Sequence, residues 1–195
     1  PEDPRSYYKV AERLSIETPN AFLANQYHNP SNPRAHVKST GPELWEQTDG
    51  EIDAFVSSMG TGGTITGVGR YLKGVKPDVK IIGVDPIGSI YYDYFKTGKM
   101  TEAHTYKVEG FGEDFVPANY DMRVIDAFTK VTDKDGAVMA RRIAKEEGMF
   151  LGNSAGAAIK GLLQLKENFN KNDIVVVLFH DHGSRYVGKM FNDDW

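Results

Sequence analysis

With 195 residues, 40% of them apolar and none of them cysteine, the chain can bury a sizeable core, and disulfides, thiolate nucleophiles, iron–sulfur clusters and cysteine-based zinc sites are excluded. Its 23 basic and 27 acidic residues leave a net charge of −4 with no Lys/Arg cluster to attract a phosphodiester backbone, so nucleic acid is not an expected partner. The longest apolar run, IVVVLF from Ile174 to Phe179, is far short of a bilayer span and PEDPRSYYK lacks a leader's basic-then-apolar pattern, so a soluble, cytoplasmic chain without membrane contacts is expected.

Tyr8, Ala11 and Leu14 lie at helical spacing within Tyr7 to Leu14, and Ala21 to Gln26 reads as a short strand. The chain enters this helix without a methionine, which suggests a cut from something longer. NPSNPRAH, Asn29 to His36, carries two prolines that break the pattern, and a helix is expected over His36 to Thr48, kinked or interrupted at Gly41-Pro42. Asp53 to Ser58 is an apolar strand, followed by the glycine-rich turn SSMGTGGTITG (Ser57 to Gly67) and a helix from Gly67 to Val75. VKIIGVD, Val79 to Asp85, is a second buried-type strand. Thr132-Asp133-Lys134-Asp135 has the form of a capping box opening a helix that Gly148 closes, with Val138, Ala140, Ile143 and Ala144 along it. Ala155 to Asn168 reads as a further helix, and Asp173 to Phe179 as a strand too uniformly apolar to face solvent on either side. Apolar strands alternating with helices imply an α/β fold: a three-layer arrangement with a mostly parallel sheet and helices on both faces.

A strand, a glycine-rich turn and a helix together make an anion site, because bare backbone N–H groups and the positive helix end converge where side chains are absent. Gly60, Gly62, Gly63 and Gly67 interleaved with hydroxyls are more than one tight turn requires, and phosphate is the natural guest. A Walker loop is excluded, since Gly67 is followed by Val68 and Gly69 rather than Lys and Ser/Thr. The dinucleotide fingerprint fails at its third glycine, where Ile65 stands, yet Asp85 ends the next strand where a ribose-binding acid would sit. A nucleotide-binding module without covalent chemistry therefore stays open at this point.

GTGGTITG resembles the phosphate-cradling loop of the tryptophan synthase β-like (fold type II) pyridoxal-phosphate enzymes. QYHNPSNPRAH (Gln26 to His36), STGPELWEQTDG (Ser39 to Gly50), VEGFGEDFVP (Val108 to Pro117), GNSAGAA (Gly152 to Ala158) and RYVGKMFNDDW (Arg185 to Trp195) are similar to motifs of the cystathionine β-synthase and cysteine synthase family, in that family's order. VEGFGEDFVP and FNDDW look more like the cystathionine synthase branch.

The resemblance implies pyridoxal 5'-phosphate as cofactor, with Gly60, Thr61, Gly62, Gly63 and Thr64 holding its phosphate and Ser154 hydrogen-bonding the pyridine nitrogen. On spacing alone Ser154 reads as an N-cap for a helix beginning at Ala155. Gly110 and Gly112 match glycines of the family's loop over substrate and cofactor. The implied reaction is replacement at the β carbon of an amino acid, serine or O-acetylserine, by a thiol, and the implied assembly is a homodimer. The family's Schiff-base lysine and its carboxylate-binding Ser/Thr-Gly-Asn loop lie upstream of the segment resembling Pro1 to Gln26, so no catalytic residue is assigned. Residues 1–195 then form one α/β unit, the larger-domain portion of a catalytic core that cannot turn over alone, with 1–35 a remnant of the smaller domain and its connection. HDHG, His180 to Gly183, departs from the proline that the family usually has there. His180 and His182 alternate and could face one metal, but no third ligand accompanies them and no metal site is assigned. Tyr91, Tyr92, Tyr94 and Phe95 read as a packing cluster, and a binding or dimerisation role for the chain is a further alternative.

Overall fold

The computed structural model describes residues 3–194; Pro1, Glu2 and Trp195, the last residue of the RYVGKMFNDDW stretch, lie outside the described residues. Four parallel strands form one sheet in the order β3-β2-β1-β4, with β1 at Ile52–Ser58, β2 at Lys80–Pro86, β3 at Ala127–Val131 and β4 at Ile174–Val177. Among the described residues seven α-helices accompany them: α1 Tyr7–Glu17, α2 Ser31–Lys38, α3 Thr40–Gln47, α4 Gly63–Val75, α5 Tyr91–Thr97, α6 Asp133–Glu147 and α7 Asn153–Gln164.

Alternation along the strands divides the core in two. Phe55 of β1 and Ile81 of β2 pack under α4 with Ile65, Val68 and Leu72, while Ala54, Val56, Ile82 and Val84 face α7 through Ala157 and Leu162. Each fully buried aliphatic or aromatic side chain in these layers contributes about 1.5–3 kcal/mol. The sheet is thus covered by helices on both faces, as the alternating pattern predicts. Two glycines permit the close approach: an added Cβ at Gly83 would meet the Phe128 ring, and one at Gly161 would meet Val84 and Thr129.

The capping box holds as read. Thr132 Oγ1 accepts from Asp135 N at 3.1 Å and Asp135 Oδ2 from Thr132 N at 3.0 Å, while Gly148, at φ +70°, ends α6.

Elsewhere the sequence reading needs correction. Ala21 to Gln26 is not a strand: Asn20 just before it and Asn25 within it are at positive φ, and the Asn29 side chain donates to Ala24 O at 2.9 Å. The prolines of NPSNPRAH do not break a helix but begin one, because Pro33 falls in the first turn of α2, where no intrahelical N–H is needed. The expected helix over His36 to Thr48 is two helices, interrupted at Ser39 just ahead of Gly41-Pro42. Helix α4 starts at Gly63, four residues earlier than read, and α7 starts at Asn153 and ends at Gln164. The strand from Asp173 to Phe179 shortens to Ile174–Val177, lies at the sheet edge and is only half-buried, so it is not enclosed on both faces. An apolar run by itself does not say how many neighbours the strand has.

Candidate functional site

Strand β1 ends in Ser57 and Ser58, both buried, and the ladder continues one residue further as Met59 N donates to Val84 O at 3.2 Å. The chain then turns through Gly60, Thr61 and Gly62 into α4. Gly62 caps the helix at φ +77°, a left-handed conformation that costs other residues roughly 1–2 kcal/mol. At Gly60 the constraint is contact, since a Cβ there would sit 2.6 Å from the carbonyl oxygen of Gly110. Gly63 and Gly67 leave room for α2, whose Asn32 amide and Pro33 carbonyl occupy the space a Cβ would need.

Side chains from neighbouring segments then hold the turn. Asn32 Nδ2 donates to Thr61 Oγ1 at 3.0 Å and to Gln26 O at 2.8 Å. His36 places Nε2 3.3 Å from Thr64 Oγ1 and Nδ1 2.9 Å from Thr40 Oγ1. Tyr91, fully buried, donates its hydroxyl to Gly60 O at 2.6 Å, which gives the aromatic cluster of α5 one direct link to the loop.

The loop carrying Gly110 and Gly112 closes over this turn. Both glycines lie at positive φ, +84° and +81°. Gly112 donates its N–H to Met59 O at 2.6 Å and packs against Pro86, so it anchors the loop, whereas Gly110 borders open space. Glu113 fixes the loop from behind: its carboxylate accepts from Tyr27 Oη at 2.6 Å and Tyr8 Oη at 2.8 Å. Burial pushes the Glu113 carboxyl above its ordinary value, opposed by these two hydroxyls.

Between the two loops lies a cavity of about 140 Å³ lined by Ser58, Met59, Gly60, Thr61, Gly62, Thr64, Ile65, Gly110 and His180. No lysine or arginine is among these lining residues. What the cavity offers an anion is neutral: the hydroxyls of Thr61 and Thr64, and the first turn of α4, whose N–H groups have no intrahelical acceptor. His36 does not add positive charge near neutral pH, because burial lowers its pKa from the ordinary histidine value.

The structure therefore brings Gly60, Thr61, Gly62, Thr64 and Gly110 to one cavity, with Gly63 as the first residue of α4 behind them. Ser154 is buried in the first turn of α7, where the N-cap is Gly152, so the N-cap reading of Ser154 is corrected. Asp85 is fully buried, its Oδ2 accepting from Tyr92 N at 3.0 Å, and cannot present a carboxylate to a ribose. That removes the residue which favoured a nucleotide. His180 and His182 part company: His182 Nδ1 accepts from Ser184 N at 3.3 Å beside Phe150, while His180 joins the cavity. Among the described residues no group of three or more His, Asp and Glu is placed to hold a metal ion. Asn32 and His36 are the polar neighbours that motif reading missed, the Asn-Pro spacing around Asn32 being the available signal, while His180 was weighed only as one of a histidine pair.

Comparison with known proteins agrees with this arrangement. Residues 1–181 match the family described as pyridoxal-phosphate dependent enzymes. The chain is 42% identical over 192 residues to a cystathionine beta-synthase of Dictyostelium discoideum, covering 98% of this chain and 38% of that protein. It is 41% identical over 194 residues to the cystathionine beta-synthase of Oryctolagus cuniculus, covering 35% of it, and 40% identical over 182 residues to cysteine synthase A of Escherichia coli (strain K12), covering 91% of this chain and 56% of that protein. The chain thus spans between about a third and somewhat over half the length of these relatives. A glycine turn tied to Asn32 and overlain by Gly110 at the N-terminus of α4, within a match that runs over residues 1–181, places the chain in the family of pyridoxal-phosphate dependent enzymes.

Proposed function

We propose that the chain forms the phosphate-binding side of the active site of a β-replacement enzyme that joins serine to a thiol such as homocysteine, in the manner of a cystathionine β-synthase. The observation that carries this reading is the cavity over the glycine turn: Thr61, Gly62 and Thr64 offer hydroxyl and backbone donors at the α4 N-terminus, with no competing side-chain cation. Glycine at position 60 is needed sterically, because a Cβ there would run into the Gly110 carbonyl that packs over the turn. Pyridoxal 5'-phosphate supplies an electron-accepting ring and an aldehyde when bound.

The residues of this chain do the holding. Thr61 and Thr64 add oxygen donors whose orientation is fixed by Asn32 and His36. Gly110 keeps the mouth of the cavity free of side chain, and Gly112 and Glu113 secure the strap that bears it. The cavity wall contains no lysine to bind the aldehyde, which supports the reading that the 195-residue chain does not turn over alone. A homodimeric parent with an amino acid and a thiol as substrates completes the proposal; cysteine synthase, using O-acetylserine and sulfide, is the second reading, favoured by the 40% identity to the Escherichia coli cysteine synthase A.

The test is spectroscopic. The 195-residue chain is titrated with pyridoxal 5'-phosphate and the cofactor's near-ultraviolet and visible absorbance is followed; saturable binding that inorganic phosphate competes away is expected. Absence of binding overturns the reading. Assays with serine plus homocysteine and with O-acetylserine plus sulfide, on the longest natural form of the protein, then separate the two activities.

A further inference from the structure

The phosphate reading leaves one wall of the cavity without a role. His180, three residues beyond β4, is the only ionisable side chain among the lining residues. Its Nε2 lies 3.3 Å from Ser57 Oγ and its Nδ1 3.5 Å from Ser58 Oγ.

The hydrogen-bond network fixes which nitrogen carries the proton. Ser57 Oγ already donates to Ser58 O at 3.0 Å, and a hydroxyl has one proton to give. Toward His180 it can only accept, so Nε2 carries the hydrogen and, in a neutral ring, Nδ1 is left as the acceptor. The imidazole is neutral near pH 7, because loss of water around it lowers its pKa, with His36 on α2 adding to this effect and Asp181 opposing it. Asp181 turns its own Oδ2 to Tyr186 Oη at 2.7 Å rather than to the imidazole. The one partner at Nδ1, Ser58 Oγ, is at the outer limit of hydrogen bonding and is a rotor that a ligand can displace at little cost.

We infer that His180 meets the heteroaromatic ring of the bound cofactor, its Nδ1 accepting a hydrogen bond from a donor on that ring. The inference rests on the pyridoxal reading and adds a ring contact to the phosphate contacts. An acceptor at this point stabilises the ligand form that bears the proton, so His180 is a positioning residue that also tunes the protonation of what it touches.

Three chains are compared, wild type, His180→Phe and His180→Asn, each titrated with pyridoxal 5'-phosphate and with inorganic phosphate between pH 5 and 9. Binding is read from the cofactor's absorbance and from the imidazole Cε1–H resonances of the five histidines, His180 being assigned by its loss in the variants. The expected result is that the His180 resonance shifts with pyridoxal phosphate but not with phosphate alone. His180→Phe should weaken pyridoxal phosphate about tenfold and move the pH midpoint of its absorbance, which matches the loss of one hydrogen bond of about 1.4 kcal/mol. Phosphate affinity should not change. His180→Asn, which restores an acceptor near the position of Nδ1, should recover most of the loss. If the wild type binds pyridoxal phosphate while the His180 resonance stays still and His180→Phe matches it in affinity and pH midpoint, the inference is overturned and the phosphate site stands. If phosphate binds but pyridoxal phosphate binds no tighter, the ring contact is overturned in the same way. If neither binds, the pyridoxal reading fails and the inference with it.

Discussion

The Asn32 side-chain amide donates to Thr61 Oγ1 at 3.0 Å and to the Gln26 carbonyl at 2.8 Å, so the glycine turn is suspended from the segment that leads into α2. Both protons of the amide are used, and the threonine hydroxyl is left free to direct its own proton elsewhere. Asn32→Ala should remove the amide donor and free the turn, weakening pyridoxal phosphate about two- to tenfold for a net hydrogen-bond loss of about 0.5–1.5 kcal/mol. Asn32→Asp should be worse, because it sets a carboxylate beside a site for an anion. Absorbance titration of both variants checks the order; an Asn32→Asp chain that bound as tightly as wild type would show that Asn32 does not organise the site.

Gly110 and Gly98 share a left-handed backbone, φ +84° and +67°, and neither has an atom within 4 Å of an added Cβ. Alanine at either should therefore lower stability by a similar amount, about 1 kcal/mol. Only Gly110 lines the cavity. Gly110→Ala should accordingly reduce cofactor affinity several-fold while Gly98→Ala leaves it unchanged, with urea midpoints of the two variants agreeing. Equal affinities would mean that the strap over the turn does not border the ligand.

Much of this architecture was legible from local pattern. The Thr132 capping box and the Gly148 stop depend on residues within one turn of each other, so spacing was enough to place α6. The glycine turn was legible for the same reason. Strand β3, AFTKV, escaped notice because Lys130 breaks its apolar run; that lysine reaches out to Asp93 at 2.7 Å. Proline misled at α2, since Pro33 looks like a breaker unless the start of the helix is already known. At the site, the contacts that matter join distant segments: Asn32 to Thr61, Tyr91 to Gly60, and His180 to Ser57, 123 positions away. No periodicity encodes such pairs. Ser154 shows how local spacing slips by a residue or two: it reads as a cap, whereas α7 begins at Asn153 with Gly152 as its N-cap.

Asp121 ties the first two turns of α4 to the segment that follows the strap. Its N–H donates to Thr66 Oγ1 at 3.0 Å, and its carboxylate accepts from Arg70 Nη2 at 2.8 Å and Arg123 Nε at 2.8 Å. The Arg123 and Arg70 guanidiniums hold the carboxyl well below its usual range. A depressed folded-state pKa means stability that is fully present above the unfolded value, about 3.9, and lost as pH falls below it toward the folded value. Both arginines are open to solvent, at 47% and 87% side-chain exposure, so screening keeps the contribution to about 1 kcal/mol. Asp121→Asn should lower stability by that amount at pH 7 and by progressively less below pH 4. Urea unfolding at pH 7 and pH 3 checks it; a deficit that persisted undiminished at pH 3 would point to lost packing instead of lost charge.

Asp85 behaves in the opposite sense. It ends β2 in complete burial with Oδ1 lacking a partner, and desolvation pushes its carboxyl up to about 7 against the pull of Ser89 and the Tyr92 amide. Between the unfolded pKa of about 3.9 and that raised value the folded state binds more protons than the unfolded one, so this group makes stability fall as pH rises. Above the raised value the penalty is complete, because the buried carboxylate is charged in both states. His36, whose pKa is lowered, works the other way through the upper part of the window, so the wild-type profile alone does not isolate Asp85. The difference between wild type and Asp85→Asn does. The amide keeps an acceptor for Tyr92 N but cannot ionise, so the variant should gain on the wild type between pH 5 and pH 8 by about 1 kcal/mol or more. Urea midpoints at the two pH values measure the gain, and a difference that stayed constant would mean that the Asp85 carboxyl is ionised across the whole range. Its hydrogen bond to Tyr92 N sets the start of α5, and Tyr91 beside it reaches the Gly60 carbonyl, so the same titration should appear at the glycine turn as cofactor affinity that falls above pH 7 in the wild type and stays level in Asp85→Asn.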